Sequence, residues 1–366
     1  MQALFQIVGN CLNEVKNQIS PYFCGLLFHE GRKTCSSMSR GLNVPAKRIR
    51  KSFKNAQPKT ASIREKLKSL TDKVPAVDSV RVLAIDGTML MKAFAQKIDH
   101  LAHDYDGVIR RATRGLSLMM ISLISGGSSI PLDFSFWENK TDKIGSRKKK
   151  NKRKEKRNSK YKTKIEMAIK LIIAWKDAIV FSYIAMDGAF LSNEMISFLG
   201  DNALRYTMRA ARNRKVVIDG LELKLCDQPS IRLIKNERAK TAKGFYKGHA
   251  CFFTSHKRKK RNGKWETFYI ISNMNLSAKE HVIAYLRRWP IDKSFRTMKQ
   301  YLGLRDCQMR SGIKQAFHIF NVFMAYAIAT VEKIANGKKS VEEVLKAWRL
   351  AKKIQNIPEN NDSDII

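Results

Sequence analysis

Val80-Arg-Val-Leu-Ala-Ile-Asp86-Gly87 is the stretch on which the fold turns. Val80 to Ile85 is a short apolar run rich in branched residues, the pattern of a buried strand, and it closes on an acid followed by glycine. The same ending returns in Ala185-Met-Asp187-Gly188, at the close of the run from Ala178 to Met186. Alone, Asp-Gly marks a turn, and Asp106-Gly107 and Asp219-Gly220 are read that way. Asp86 and Asp187 differ because each follows an apolar strand. A carboxylate at such a strand end points into the crevice beside the sheet edge, where two on adjacent strands can share a cation.

Outward from these strands, Leu116–Ile124 and Ile130–Phe136 are expected to be the next two, separated by Gly126-Gly127-Ser-Ser. Pro131 weakens the second or confines it to a sheet edge. Ile165–Trp175 has helical spacing, with Ile165, Ala168, Ile169 and Ile172 on one side, and Leu191–Leu199 is a further helix. Strands and helices in this order make an α/β layer. From about residue 205 to 272 short strands are expected at 216–220, 221–225, 230–234, 249–254 and 267–271, giving a β-rich insertion. Ser277-Ala-Lys-Glu280 is a capping-box pattern that restarts helices.

The region before Val80 is mainly helical. Thr34 is a candidate N-cap, and Thr34–Phe53 reads as helix, turn, helix, with Gly41 in the turn and a basic second helix. Such a pair suits insertion into a DNA groove or is a plain surface pair. The expected organisation is a helical DNA-binding region over 1–75, a first core part over 76–204, the insertion over 205–272, a last core part with C-terminal helices over 273–356, and a tail over 357–366.

Charge narrows the partners. The 366 residues carry 70 Lys and Arg against 32 Asp and Glu, a formal charge of +38, which draws the chain onto polyphosphate. With 44% hydrophobic residues the chain is a folded body rather than a basic tail. Basic runs at 143–164 and His256–Arg261 add phosphate binding without sequence preference. Cys11, Cys24, Cys35, Cys226, Cys251 and Cys307 form no Cys-x-x-Cys pair, which argues against zinc and for reduced cytosolic thiols. The N-terminus does not read as a signal peptide. The apolar stretch Phe317–Val331 is too short to span a bilayer easily and contains His318 and Asn321, so a buried helix is expected and no membrane partner.

A third acid lies in Tyr285-Leu-Arg-Arg288-Trp289-Pro-Ile-Asp292-Lys-Ser-Phe-Arg-Thr-Met-Lys299. Tyr285, Arg288, Asp292 and Lys299 fall along one helical stripe, which Pro290 breaks or kinks, leaving Asp292 near the start of a new helix. Arg288 and Lys299 beside a carboxylate form a salt-bridge network or grip phosphates. Three acids in this order can seat two divalent ions for phosphoryl transfer, and Mg²⁺ prefers carboxylate and water oxygens.

This pattern resembles the DDE transposases of bacterial insertion sequences, in the group with a Tyr-x-x-Arg-x-x-x-Glu-x-x-x-x-x-x-Lys signature. Tyr285, Arg288 and Lys299 match its spacing, and Asp86 and Asp187 match the first two acids. Asp292 stands in the glutamate position, a departure that shortens the ligand arm by one methylene. The resemblance implies a ribonuclease-H-like mixed sheet with flanking helices and a β-rich insertion before the last acid. It implies catalysis by Asp86, Asp187 and Asp292 with two Mg²⁺ ions, for which Mn²⁺ substitutes. It also implies nicking at element ends, attack of the freed 3′ hydroxyl on DNA and commonly a hairpin intermediate. Tyr285, Arg288 and Lys299 would bind phosphates near the cleaved end. Trp289 and Trp265 are candidates for stacking on an unpaired base or are core aromatics. The implied partners are double-stranded DNA and a second copy on it, in the cytoplasm at the nucleoid. Two other readings stay open: a catalytically impaired DNA-binding protein on the same scaffold, and a ribonuclease-H-like nuclease or resolvase.

Overall fold

A computed structural model describes residues 20–75, 80–107, 109–139, 161–260 and 262–355. The first nineteen residues, most of the basic run at 143–164 and the 357–366 tail lie outside the described residues. The chain divides into two compact units. One comprises residues to Val74, Phe94–Asp99 and the chain from Lys293 onward; the other comprises Pro75–Ala93 and His100–Asp292.

The second unit is built on one mixed sheet. It opens with β1 (Val82–Met91), β2 (Ala102–Asp106), β3 (Arg111–Ser125) and β4 (Ser128–Trp137). Helix Lys164–Trp175 leads to β5 (Tyr183–Met186), and helix Asn193–Asp201 to β6 (Tyr206–Ala210). The insertion adds β7 (Lys215–Ile218), β8 (Leu221–Lys224), β9 (Ala239–Tyr246), β10 (His249–Lys259) and β11 (Trp265–Ser272). The strands run β2-β3-β1-β5-β6-β11-β10-β9-β7-β8, with β4 paired to β3. Only β1–β5 and β5–β6 are parallel among the described pairs. This large mixed sheet flanked by helices is the ribonuclease-H-like arrangement, and the insertion continues the core sheet through β6 and β11.

Local chemistry explains most of these elements. Val82–Ile85 and all of β5 are buried, as strands covered on both faces must be. Thr163 and Glu166 form a capping box ahead of Lys164–Trp175, whose last residue donates its indole N–H to Asp133 at 3.1 Å. The buried stripe of that helix is Met167, Ala168, Leu171, Ile172 and Trp175, rotated from the expected one, with Ile165 and Ile169 only half-buried. Pro131 lies in β4, beside the register shift between Ile121 and Ser122, where a missing ladder donor costs least.

Several expectations are corrected. The strand expected over Val80–Ile85 runs on to Met91, so Asp86 lies inside β1, opposite Met120 of β3. The antiparallel partner β3 is long enough to carry β1 past the point where β5 stops. The strand expected over Ala178–Met186 is only Tyr183–Met186. The one expected at Ser230–Ile234 is instead a single 3-10 turn, Pro229–Ile231, opened by a residue without a backbone donor. The turn of the N-terminal helix pair falls at Asn43, in left-handed conformation, and Gly41 lies inside helix Cys35–Leu42. A Cβ at Gly41 would meet the His29 ring at 2.1 Å, so packing rather than turn geometry calls for glycine.

In the first unit, Thr34 caps helix Cys35–Leu42 by accepting from the Ser37 amide at 3.2 Å. Helix Ala46–Lys51 buries only Ile49 and turns Lys47, Arg48, Arg50 and Lys51 outward. The apolar Phe317–Val331 segment is the buried middle of helix Gly312–Ala335. Tyr22 Oη lies 2.6 Å from His318 Nδ1, which pins the N-terminal helices to this one. No described helix is long and apolar enough to cross a membrane.

Candidate active site

Parallel register places the first two acids. Ile85 pairs with Met186 as the last residues of the β1–β5 ladder, so Asp86 and Asp187 follow at one level on adjacent strands. Their glycines are not equivalent. A Cβ on Gly188 would come within 2.9 Å of the Arg209 carbonyl as β6 passes, whereas Gly87 has nothing nearer than Leu118 O at 3.7 Å.

The third acid arrives from the opposite direction. Ser277 and Glu280 form the expected capping box and start helix Ala278–Leu286. That helix packs on β6, β9, β10 and β11. Tyr285 is buried against Phe268, Ile270 and Val282. Tyr183 of β5 donates its hydroxyl to Ala284 O at 3.0 Å, which ties the helix end to the strand carrying Asp187. The chain turns through Arg287–Trp289 and restarts as helix Pro290–Tyr301, with Asp292 in its first turn. Proline suits this first position because its missing N–H would have no partner there.

Arg288 joins the acids. Its Nη1 lies 2.7 Å from Asp86 Oδ2 and its Nη2 3.1 Å from Asp292 Oδ2. Asp187 Oδ1 accepts a long contact of 3.5 Å from the Tyr285 hydroxyl. Burial pushes the Asp86 carboxyl up to about 7 against the pull of Arg288, and the neighbouring Asp292 adds to the rise. Burial alone would lower Arg288, but Asp86, Asp292, Tyr285 and Asp187 together hold it raised. Burial also raises the Tyr285 hydroxyl.

The donors are carboxylate oxygens, which suit a hard divalent ion. Among the described residues, however, no three Asp, Glu, His or Cys side chains form a ready metal cluster. The Arg288 guanidinium bridges Asp86 and Asp292, whose carboxyls also meet each other directly, and Asp187 is turned to Tyr285.

The remaining expected residues are more dispersed. Lys299 lies further along the Asp292 helix and belongs to the other compact unit. Trp289 is half exposed in the turn before Pro290. Trp265 is 54% exposed at the start of β11, with the Arg238 guanidinium 5.3 Å from its ring centre. Because β11 runs antiparallel to β6 and pairs Tyr269 with Ala210, Trp265 projects beyond the C-terminal end of β6, the sheet edge that carries Asp187. Arg209 was not among the expected residues. It follows Met208, the partner of Met186, and its charge acts on Tyr285. No motif marks it, and only the β5–β6 register reveals it.

The fold is thus a ribonuclease-H-like α/β sheet whose adjacent strands present paired acids. The sequence matches the family described as DDE superfamily endonuclease over residues 8–232, and the transposase DDE domain over 156–328. The chain therefore belongs to the DDE superfamily of endonucleases and transposases, whose substrate is DNA. The two matches together span Asp86, Asp187 and the Tyr285–Lys299 segment. A search of curated proteins finds no match.

Proposed function

We propose that this protein is a transposase that cuts and joins DNA at the inverted repeats of its own element, in the group marked by the Tyr-Arg-Glu-Lys signature. The observation that carries this reading is Arg288 linking Asp86 to Asp292 at 2.7 and 3.1 Å, since it draws the signature segment onto the first strand acid. Asp86, Asp187 and Asp292 are the catalytic acids. They would hold two divalent ions, Mg²⁺ first and Mn²⁺ as substitute, which activate an attacking oxygen and neutralise charge on the leaving one.

The chain's own residues do the rest. Tyr285 orients Asp187 through its hydroxyl. Arg288 and Lys299 grip phosphates beside the cleaved bond, Arg288 as a two-pronged donor. Trp289 and Trp265 are exposed faces on which an unpaired base can stack. The outward cations of helix Ala46–Lys51 hold the duplex, two copies act on paired ends, and the protein works at the nucleoid in the cytoplasm. Cleavage of terminal-repeat DNA in Mg²⁺ tests the reading. Wild type cuts and joins, and Asp86→Ala stops it. No cleavage by wild type together with none by Asp292→Glu rejects the proposal. Cleavage of branched junctions in preference to repeat ends would favour a resolvase.

A further inference from the structure

Arg288 stands where the acids need a cation. Its side chain is 8% exposed, and one guanidinium spans two of the three carboxylates assigned above to metal. Its Nε has no hydrogen-bond partner among the described residues. The group is therefore held by Asp86 and Asp292, with Tyr285 beside it, rather than by a complete set of acceptors. Asp292 is 52% exposed, so the pair is open to solvent on that side. A divalent ion and a guanidinium seek the same carboxylate oxygens, and two cations at one carboxylate pair repel strongly where water is scarce.

The geometry points to a competition: a divalent ion seats between Asp86 and Asp292 only as Arg288 withdraws, and the withdrawn guanidinium is then free to fork onto a DNA phosphate. This rests on the assignment of Asp86 and Asp292 as metal ligands. It makes Arg288 a positioning residue that keeps the acids paired until metal and DNA replace each other's partners. Binding of the ion and binding of phosphate then favour one another, because each removes a competitor of the other.

The test uses the full chain without DNA and follows Mn²⁺ binding by the loss of the free-ion electron paramagnetic resonance signal. Removing the competitor in Arg288→Gln tightens Mn²⁺ binding by about tenfold or more, within the usual range of coupling between two ligands. Arg288→Lys, which keeps the charge but cannot span both acids, falls between. The melting temperature of Arg288→Gln without metal drops below wild type and recovers in Mn²⁺. Equal or weaker Mn²⁺ binding by a folded Arg288→Gln overturns the competition, and Arg288→Lys carries the comparison if Arg288→Gln does not fold. Asp86→Asn separates the two levels of the argument. If it abolishes Mn²⁺ binding while the Arg288 variants bind no tighter than wild type, only the competition fails. If it leaves Mn²⁺ binding unchanged, the metal assignment itself falls, and the competition with it.

Discussion

Asp187 leaves β5 at the level at which Asp86 passes along β1, one residue beyond the last parallel pair, Ile85 and Met186. Neighbouring strands lie about 4.8 Å apart, so two carboxylates so placed can address one ligand. The end of helix Ala278–Leu286 then brings Tyr285 to the second of them, and the turn before helix Pro290–Tyr301 brings Arg288 to the first. Replacing either strand acid by its isosteric amide removes a carboxylate proposed to be catalytic without changing shape. Asp86→Asn and Asp187→Asn are each expected to lower Mg²⁺-dependent cleavage by about a thousandfold or more, the scale of loss for a member of a catalytic unit. Circular dichroism should show the fold unchanged. Cleavage within tenfold of wild type by either variant would remove that acid from the chemistry.

If the chain belongs to the proposed signature group, Asp292 stands where a glutamate is expected, and its arm is one methylene short, roughly 1.5 Å. Its side chain is 52% exposed, so a longer arm has solvent to extend into. A displacement of about 1 Å in a catalytic group can cost about a hundredfold. Asp292→Glu is therefore expected to raise the cleavage rate by about tenfold to a hundredfold in single-turnover assays, with stability changed by less than about 0.5 kcal/mol. A slower Asp292→Glu would mean that helix Pro290–Tyr301 is already set for the shorter side chain.

What the sequence disclosed follows from where its physics is local. The core of β3 was legible because a strand buried on both faces writes a continuous apolar run. Ser277, Glu280 and Pro290 announced helix ends because capping is settled within a few residues. β9 was missed because Ala239-Lys-Thr-Ala-Lys-Gly-Phe-Tyr246 has little strand propensity, and its pairing with β7 and β10 outweighs that. The extension of β1 through Gly87 and Thr88 depends on β3, not on its own residues. The spacing of Tyr285, Arg288 and Asp292 gave a stripe, yet the partner of Arg288 lies 202 residues upstream, where no local pattern points to it.

Lys33 carries a pH prediction away from the acids. It is 2% exposed, and its ammonium nitrogen has no hydrogen-bond partner among the described residues. Burial, with repulsion from Arg349, pushes its pKa down to about 7 from the ordinary 10.5. Between those values the unfolded chain holds a proton that the folded chain has lost, so stability rises with pH in that window. The slope from this one group is at most about 1.4 kcal/mol per pH unit, and below pH 7 the full penalty remains. Lys33→Met keeps the stem that packs on Gly303 and removes the charge. Urea unfolding between pH 7 and 10 should show the variant more stable at pH 7, with the gap to wild type closing as pH rises. Parallel stability curves would show that the Lys33 amine finds solvent or a counter-charge.

Trp265 separates stacking from charge. More than half of its surface is exposed, and Arg238 lies over its ring at 5.3 Å on the sheet edge that carries Asp187. A base stacked on such a face contributes about 1–3 kcal/mol, so Trp265→Ala is expected to weaken binding of DNA with an unpaired end base by about fivefold to a hundredfold. Fully paired duplex should bind nearly as before, and Trp265→Phe should recover most of the loss. Since no cation is removed, the dependence of affinity on salt should keep its slope, whereas Arg238→Gln should weaken both kinds of DNA and flatten that slope by about one unit. Fluorescence anisotropy across a salt series reads all of these at once. Equal losses on paired and unpaired ends by Trp265→Ala would mean that the ring shapes the β10–β11 hairpin rather than meeting a base.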